Sequence, residues 1–384
     1  MKRNQLVFFG IIGIALLIIG VGVVLQGSGN SDTSNNETSN TQATTVTNTD
    51  TPPLNIQVAV NRLLIDWAQD AADAFNDTNP TVNGRLLTIQ ITEQDGLEVW
   101  AESPSAWSAQ NHPVAWIPLA QYEADFANET NLAFETYIPS IGKTPIIWGA
   151  DESRANVIIR SYDQLDAQTI QTATASGRWD SIGGSSRWGF VTLAFARPSS
   201  SSIGNAVLLA LTGNYFEAAD LSNADMNDDQ LIDWLMPLVD AVPNFSTLGI
   251  DPAQVMATRG VSAGEIGFLP ESQWLQHYTD FDDPIVLSYP EQSVVFDFPY
   301  VVWAGDADEQ QAAQAFADYL MQADAQQALG EQGIRANELD NMTAFTIFSE
   351  AEAAIEITID AIEPPSRSTV LALYRWFANY RTAP

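Results

Sequence analysis

The sequence predicts an α/β fold of two lobes, and three observations carry that reading. Apolar runs of strand length alternate with stretches of helical periodicity along residues 54–384. No internal period of about 20–50 residues marks a solenoid or propeller. A body of this length also exceeds what one hydrophobic core usually organises.

Leu54–Val60 (LNIQVAV) opens the body as a short apolar strand that ends at Asn61. Leu63, Leu64, Trp67, Ala71, Ala74 and Phe75 then recur at helical spacing, which predicts an amphipathic helix over Leu63–Phe75. Strands follow at Leu86–Ile91, Val114–Ile117 and Pro145–Trp148, with a helix near Leu119–Phe126. The middle reads as helix Tyr162–Ala175, strand Phe190–Phe195, helix Ile203–Leu211 and helix Gln230–Val242. Strand Glu265–Leu269, a short helix Ser272–Tyr278 and strand Ile285–Ser288 come next. After strand Tyr300–Trp303, the Ala/Gln-rich helices Glu309–Met321 and Ala323–Gly330 precede a last amphipathic helix, Ser368–Tyr380. Such alternation predicts mainly parallel sheets.

The first 53 residues follow different rules. Lys2 and Arg3, in a short cytoplasmic stretch 1–5, precede the uncharged apolar run 6–25. Twenty residues at helical rise span roughly 30 Å, the thickness of bilayer hydrocarbon, so 6–25 reads as a transmembrane helix, an uncleaved signal anchor, with a removed secretory signal as the alternative. Positive charge before the span places the body on the extracytoplasmic face. Residues 26–53 are Ser, Thr, Asn, Gly, Asp and Gln almost throughout, a polar linker unable to offset its ordering entropy by burial.

Composition excludes much chemistry. With 48 acidic against 15 basic residues the formal charge is −33, and only two residues, Lys2 and Lys143, are lysines. Nucleic acid is therefore a poor partner, since phosphate binding needs clustered cations. Without cysteine there is no thiol nucleophile, thiolate metal site or iron–sulfur cluster, and two histidines make a poor metal centre. No cofactor and no metal is expected.

In open α/β sheets, ligands meet the carboxyl ends of strands and the N-termini of helices. Asn61, the run Gln94-Asp95-Gly96 and Pro118 each follow a predicted strand. Ser199-Ser200-Ser201-Ser202 leads into the helix beginning at Ile203, where hydroxyls and free N–H groups can bind an oxyanion or a sugar hydroxyl, or simply cap the helix. Trp100, Trp107, Trp116, Trp148 and Trp188 lie near strand ends or loops; each could stack on a sugar or a cation, although core burial is the usual fate of a tryptophan.

Several segments in fixed order carry a resemblance: HPVAWIP (112–118), KTPIIW (143–148), GRWDSIGGSSRWGF (177–190), RPSSSSIGNAVLLAL (197–211), GEIGFLPESQWL (264–275), LSYPEQSVVFDFPYVVW (287–303) and AAQAFADYLMQADAQQALGEQGIR (312–335). Together they resemble the type II periplasmic binding proteins, the solute receptors of ABC importers, in the branch associated with von Willebrand A domain proteins. The resemblance implies a two-lobed fold with hinge crossovers, lobe one being 54–147 plus 293–384 and lobe two 148–292. It implies a ligand site at Asn61, Trp116, Thr144, Ser200, Ser201, Ser202, Glu271 and Tyr289, with Glu271 its one acid. A carboxylate among hydroxyls and an indole suits a sugar-like or cationic polar solute, with a small oxyanion as the rival. The expected protein is a monomeric, membrane-tethered solute-binding protein feeding an ABC permease; the alternative is a ligand-sensing module acting with a von Willebrand A-type partner.

Enzymatic readings are weaker. Ser140-Ile141-Gly142-Lys143 matches the S-x-x-K of serine acyl-transfer enzymes but lacks the accompanying S-D-N and K-T-G elements, leaving a serine hydrolase as a remote alternative. His112 and His277 read as surface histidines, and no G-x-S-x-G elbow accompanies them. Asp225-x-Asn227-x-Asp229 fails as a calcium loop because Gln230 stands where the turn needs glycine; Asp228 and Asp229 read as a helix cap.

Overall fold

Two sheets organise the computed structural model, which describes residues 52–337 and 345–382. The expected transmembrane helix 6–25 and nearly all of the expected 26–53 linker lie outside the described residues. Among the described residues, no helix is long and apolar enough to cross a membrane.

The first sheet holds β1 (Leu54–Val60), β2 (Thr81–Val82), β3 (Arg85–Glu93), β4 (Ala115–Ile117) and β5 (Phe134–Ile138). The chain then crosses on β6 (Gly142–Asp151) to a second sheet with β7 (Leu193–Ala194), β8 (Ile266–Pro270) and β9 (Ile285–Ser288). It returns through β10 (Gln292–Ser293) and β11 (Val295–Phe296) to β12 (Tyr300–Trp303), which completes the first sheet in the order β2-β3-β1-β4-β12-β5. Short pairings at β13 (Arg335–Ala336) and β14 (Asp360–Ala361) finish the network.

The first sheet is parallel where predicted, β1 lying between β3 and β4, while the returning β12 runs antiparallel to its neighbours. The second sheet departs from the parallel expectation. Because β6 enters as a crossover, it pairs antiparallel with β8, β9, β11 and β13, and only β7 lies parallel to β8.

Packing follows the apolar periodicity. Helix Ile65–Asp77 turns Trp67, Ala68, Ala71, Ala72 and Phe75 inward against the first sheet, and the Trp67 indole N–H donates to the Ala325 carbonyl at 2.9 Å. Helix Ser202–Phe216 is buried along its first twelve residues, so its sequence is apolar on all sides rather than amphipathic. The C-terminal helix Arg367–Thr382 packs on this helix and on the turn Asp225–Asn227. Grouping all of 293–384 with lobe one therefore does not describe the last helix: the chain returns to the second sheet's side after residue 345. An apolar stripe states that a helix buries one face, not which sheet it buries it against.

The apolar core of the described residues runs from Leu54 to Phe377. Residues 54–384 expressed alone are expected to unfold cooperatively at the same temperature as the full chain; calorimetry showing aggregation or no transition would reject the boundary.

Candidate functional site

Parallel pairing brings the carboxyl ends of β1, β3 and β4 to one edge, and with them the polar residues that follow. The Asn61 backbone N–H donates to the Ile117 carbonyl at 3.1 Å, and that of Gln94 to the Val60 carbonyl at 2.9 Å. The Asn61 side-chain oxygen accepts from the Leu63 N–H at 3.1 Å and caps the short turn Arg62–Leu64. Asp95 does the same for helix Gly96–Trp100, accepting from the Leu97 N–H at 2.9 Å.

Asp95 also reaches across to the second lobe. Its carboxylate oxygens each accept from the Ser202 N–H at 3.1 Å, and Oδ1 accepts from the Ser202 hydroxyl at 2.7 Å. The Ser202 hydroxyl in turn accepts from the Leu97 N–H at 3.0 Å. Ser201 occupies the N-cap of helix Ser202–Phe216 yet makes no side-chain capping bond, because the Asp95 carboxylate has taken that role. The serine run is thus a helix start capped by an acid 107 positions away.

Behind Asp95 stands Glu123, which is only 1% exposed. Its Oε2 accepts from the Leu119 N–H at 3.0 Å, and Oε1 has no hydrogen-bond partner. Gly96 makes the approach possible: a Cβ there would lie 2.3 Å from Glu123 Oε1. Burial first, and then the neighbouring Asp95, push the Glu123 carboxyl up to about 7, with Ser202, Leu119 and Trp100 opposing. Burial likewise raises Asp95, although the Ser202 and Leu97 donors offset part of it. Burial takes Asp297 to about 6, and it raises the Tyr122 phenol, whose electrostatic neighbours are Glu123, Asp297 and Asp95. Two close carboxyls resist ionising together, and the donors gathered on Asp95, against the single Leu119 N–H on Glu123, favour placing the charge on Asp95.

Beside this contact opens a cleft of about 710 Å3. Arg62, Leu63 and Asp66 line it from the first lobe; Ile203, the segment 246–251, Gln273 and His277 line it from the second. Arg62 is held by Glu93 at 3.0 Å, and His277 lies between Asp251 at 3.1 Å and Asp280 at 3.3 Å. These hydrogen bonds raise the His277 pKa, the one to Asp251 most. The buried Gln273 Oε1 has no partner, which leaves an acceptor beside the cleft.

The remaining expected site residues scatter. Trp116 is fully buried in β4, edge-on to Trp107 at 5.1 Å, and Trp100 and Trp148 are buried too. Thr144 is buried in β6, its hydroxyl accepting from the Ser272 N–H at 3.0 Å, while Ser200 is exposed. Glu271 is wholly buried and grips Arg335 in a two-pronged pair, 2.7 Å at each prong, while the Tyr289 hydroxyl donates to Glu271 Oε1 at 2.5 Å. Arg335 also donates to the Ala354 and Ile355 carbonyls. Glu271 and Tyr289 thus bind the crossover to the C-terminal segment, and no free acid is left there for a solute. Asn61 and Ser202 are chain neighbours of the cleft residues Arg62 and Ile203 but do not line the cleft themselves; Glu123 carries no sequence signal, since it reads as an ordinary polar position on a helix. Ser140 donates to the Gly142 carbonyl and accepts from Asn337, and Lys143 is exposed.

Two lobes, crossover strands and a cleft between them define a solute-receptor architecture. Residues 56–335 match the family described as bacterial extracellular solute-binding protein, and the chain belongs to that family. It is a binding protein, not an enzyme. Solved structures share the fold at low identity. An ABC transporter solute-binding protein from Thermotoga lettingae, bound to α-D-tagatose, aligns with TM-score 0.56 and 8% identity over 85% of this chain and 94% of its own. The periplasmic binding protein AfuA of Actinobacillus pleuropneumoniae, bound to fructose-6-phosphate, gives 0.55 and 12% over 86% and 99%. The ferric binding protein of Campylobacter jejuni gives 0.53 and 10% over 84% and 97%. A search of curated protein sequences finds no match.

Two substitutions test these carboxyls. Glu123 holds its proton in the native state up to about pH 7 but releases it near 4.5 when unfolded. The native state therefore binds the extra proton between those values, and stability falls as pH rises through that window, by up to on the order of 2–3 kcal/mol. Glu123→Gln is expected to remove this slope, leaving stability near pH 4.5 unchanged and raising the melting temperature at pH 8. Denaturation curves across pH check it. Glu271→Gln leaves Arg335 buried with half a partner; a loss of on the order of 3 kcal/mol is expected in urea titrations, against about 1 kcal/mol for Tyr289→Phe.

Proposed function

We propose that the protein captures a small polar solute, sugar-like or cationic, in the cleft between its lobes and delivers it to an ABC permease. Residues 6–25 would hold it to the membrane as a single-pass anchor, with the body on the extracytoplasmic face. The cleft lined from both lobes carries this reading, because groups on both sides of a hinge can favour a closed state only when a ligand joins them. Family membership supports it, and neighbours of the same fold bind tagatose, fructose-6-phosphate and, in a Bdellovibrio bacteriovorus domain, maltotriose. The chemistry lining the cleft favours a neutral or cationic solute. Asp66, Asp251 and Glu331 face it, whereas Arg62 is committed to Glu93 and His277 to two aspartates.

Native mass spectrometry of the full chain in detergent is expected to find a retained polar solute. Adding that solute back to stripped protein should shift tryptophan emission and compact the body as the lobes close on the β6 and β11 crossovers. A solute that binds tightly but moves neither signal would overturn the hinge reading.

A further inference from the structure

The Asp95 carboxylate sits where helix-start binding sites hold anions. Helix Ser202–Phe216 runs for 15 residues and offers its first N–H groups and the Ser202 hydroxyl, and three of the four bonds to the Asp95 carboxylate come from Ser202. We propose that Asp95 is a built-in anion that fills this cradle, so that the helix start behind the cleft residue Ile203 refuses small inorganic oxyanions.

This deepens the solute-receptor reading and rests on it for the identity of the cleft. A second observation points to a ligand at the same helix start. The Ser201 hydroxyl and both amide atoms of Asn205 lie in the first turn, 2% and 1% exposed, with no hydrogen-bond partner. Burying three such atoms unpaired is costly. They are donors and acceptors of the kind that hydroxyl or amine groups of a solute satisfy. The charge balance points the same way. Glu123 stands behind Asp95, and among the described residues no lysine or arginine pairs with either acid. An incoming sulfate would have to displace the Asp95 carboxylate, with no arginine or lysine paired there to offset the repulsion, in a medium that screens charge poorly.

Asp95→Ser tests the proposal, because serine keeps the local cap on Leu97 while withdrawing the charge and reach that fill the cradle. The probes are sodium sulfate and sodium phosphate, added to the full chain in detergent and read by calorimetry and thermal unfolding. Wild type is expected to show no saturable stabilisation up to about 10 mM anion, and Asp95→Ser to bind sulfate at least about tenfold more tightly. A folded Asp95→Ser that gains no anion binding, or a wild type that binds sulfate as tightly as the variant, overturns the proposal. Should the variant fail to unfold cooperatively, wild type alone decides: sub-millimolar sulfate or phosphate binding overturns it, and indifference upholds it. Inorganic anions need no knowledge of the solute. A chain that retains no solute yet gains sulfate through Asp95→Ser would uphold this inference and remove the receptor reading.

Discussion

One ten-residue strand, β6, must satisfy its backbone against partners drawn from four distant parts of the chain, β8, β9, β11 and β13. Its first residues pair with β13, Thr144 and Pro145 with β11, and Ile146 to Asp151 with β8 and β9. Side chains reinforce the crossing. The Ser293 hydroxyl donates to the Ile146 carbonyl at 2.7 Å, and the Thr144 hydroxyl takes the Ser272 N–H at the start of the next helix. A buried backbone group left unpaired costs about as much as a lost hydrogen bond. The crossover therefore cannot slide along its partners without breaking those pairings.

Charge inside the molecule is handled in two contrasting ways. Where an arginine is available, a buried acid is neutralised by it: Glu271 by Arg335, and Glu265 by Arg154, with the Trp179 indole N–H donating to the same Glu265 carboxylate at 2.6 Å. Where none is available, backbone N–H groups and hydroxyls carry Asp95, and Glu123 keeps its proton instead. A chain with so few basic residues is pushed toward the second solution. The arginine pairs brace the crossover and the second lobe, whereas the arginine-free acids gather at the start of helix Ser202–Phe216.

Much of the fold was legible because apolar period and burial coincide. The strands at β1, β3, β4 and β12 and the last helix lie close to their expected places. β5 escaped notice because FETYI buries only Phe134 fully, so it carries no apolar run. Of the site, Asn61 and the serine run were readable as polar residues following strands or opening a helix. The pairing of Asp95 with Ser202 was not, since nothing local links positions so far apart. Glu271 looked like a cleft acid because the sequence does not reveal that Arg335 folds back onto it.

Trp274 follows Glu271 by three residues, and its ring lies in a slot floored by Gly149 and Gly267, which face each other across the β6–β8 pair. A methyl group on either glycine would stand 2.5–2.6 Å from the indole. The three positions are therefore mutationally interlocked. Neither glycine can acquire a side chain while position 274 keeps an indole, and shrinking that indole alone would leave a void bordering the crossover strand.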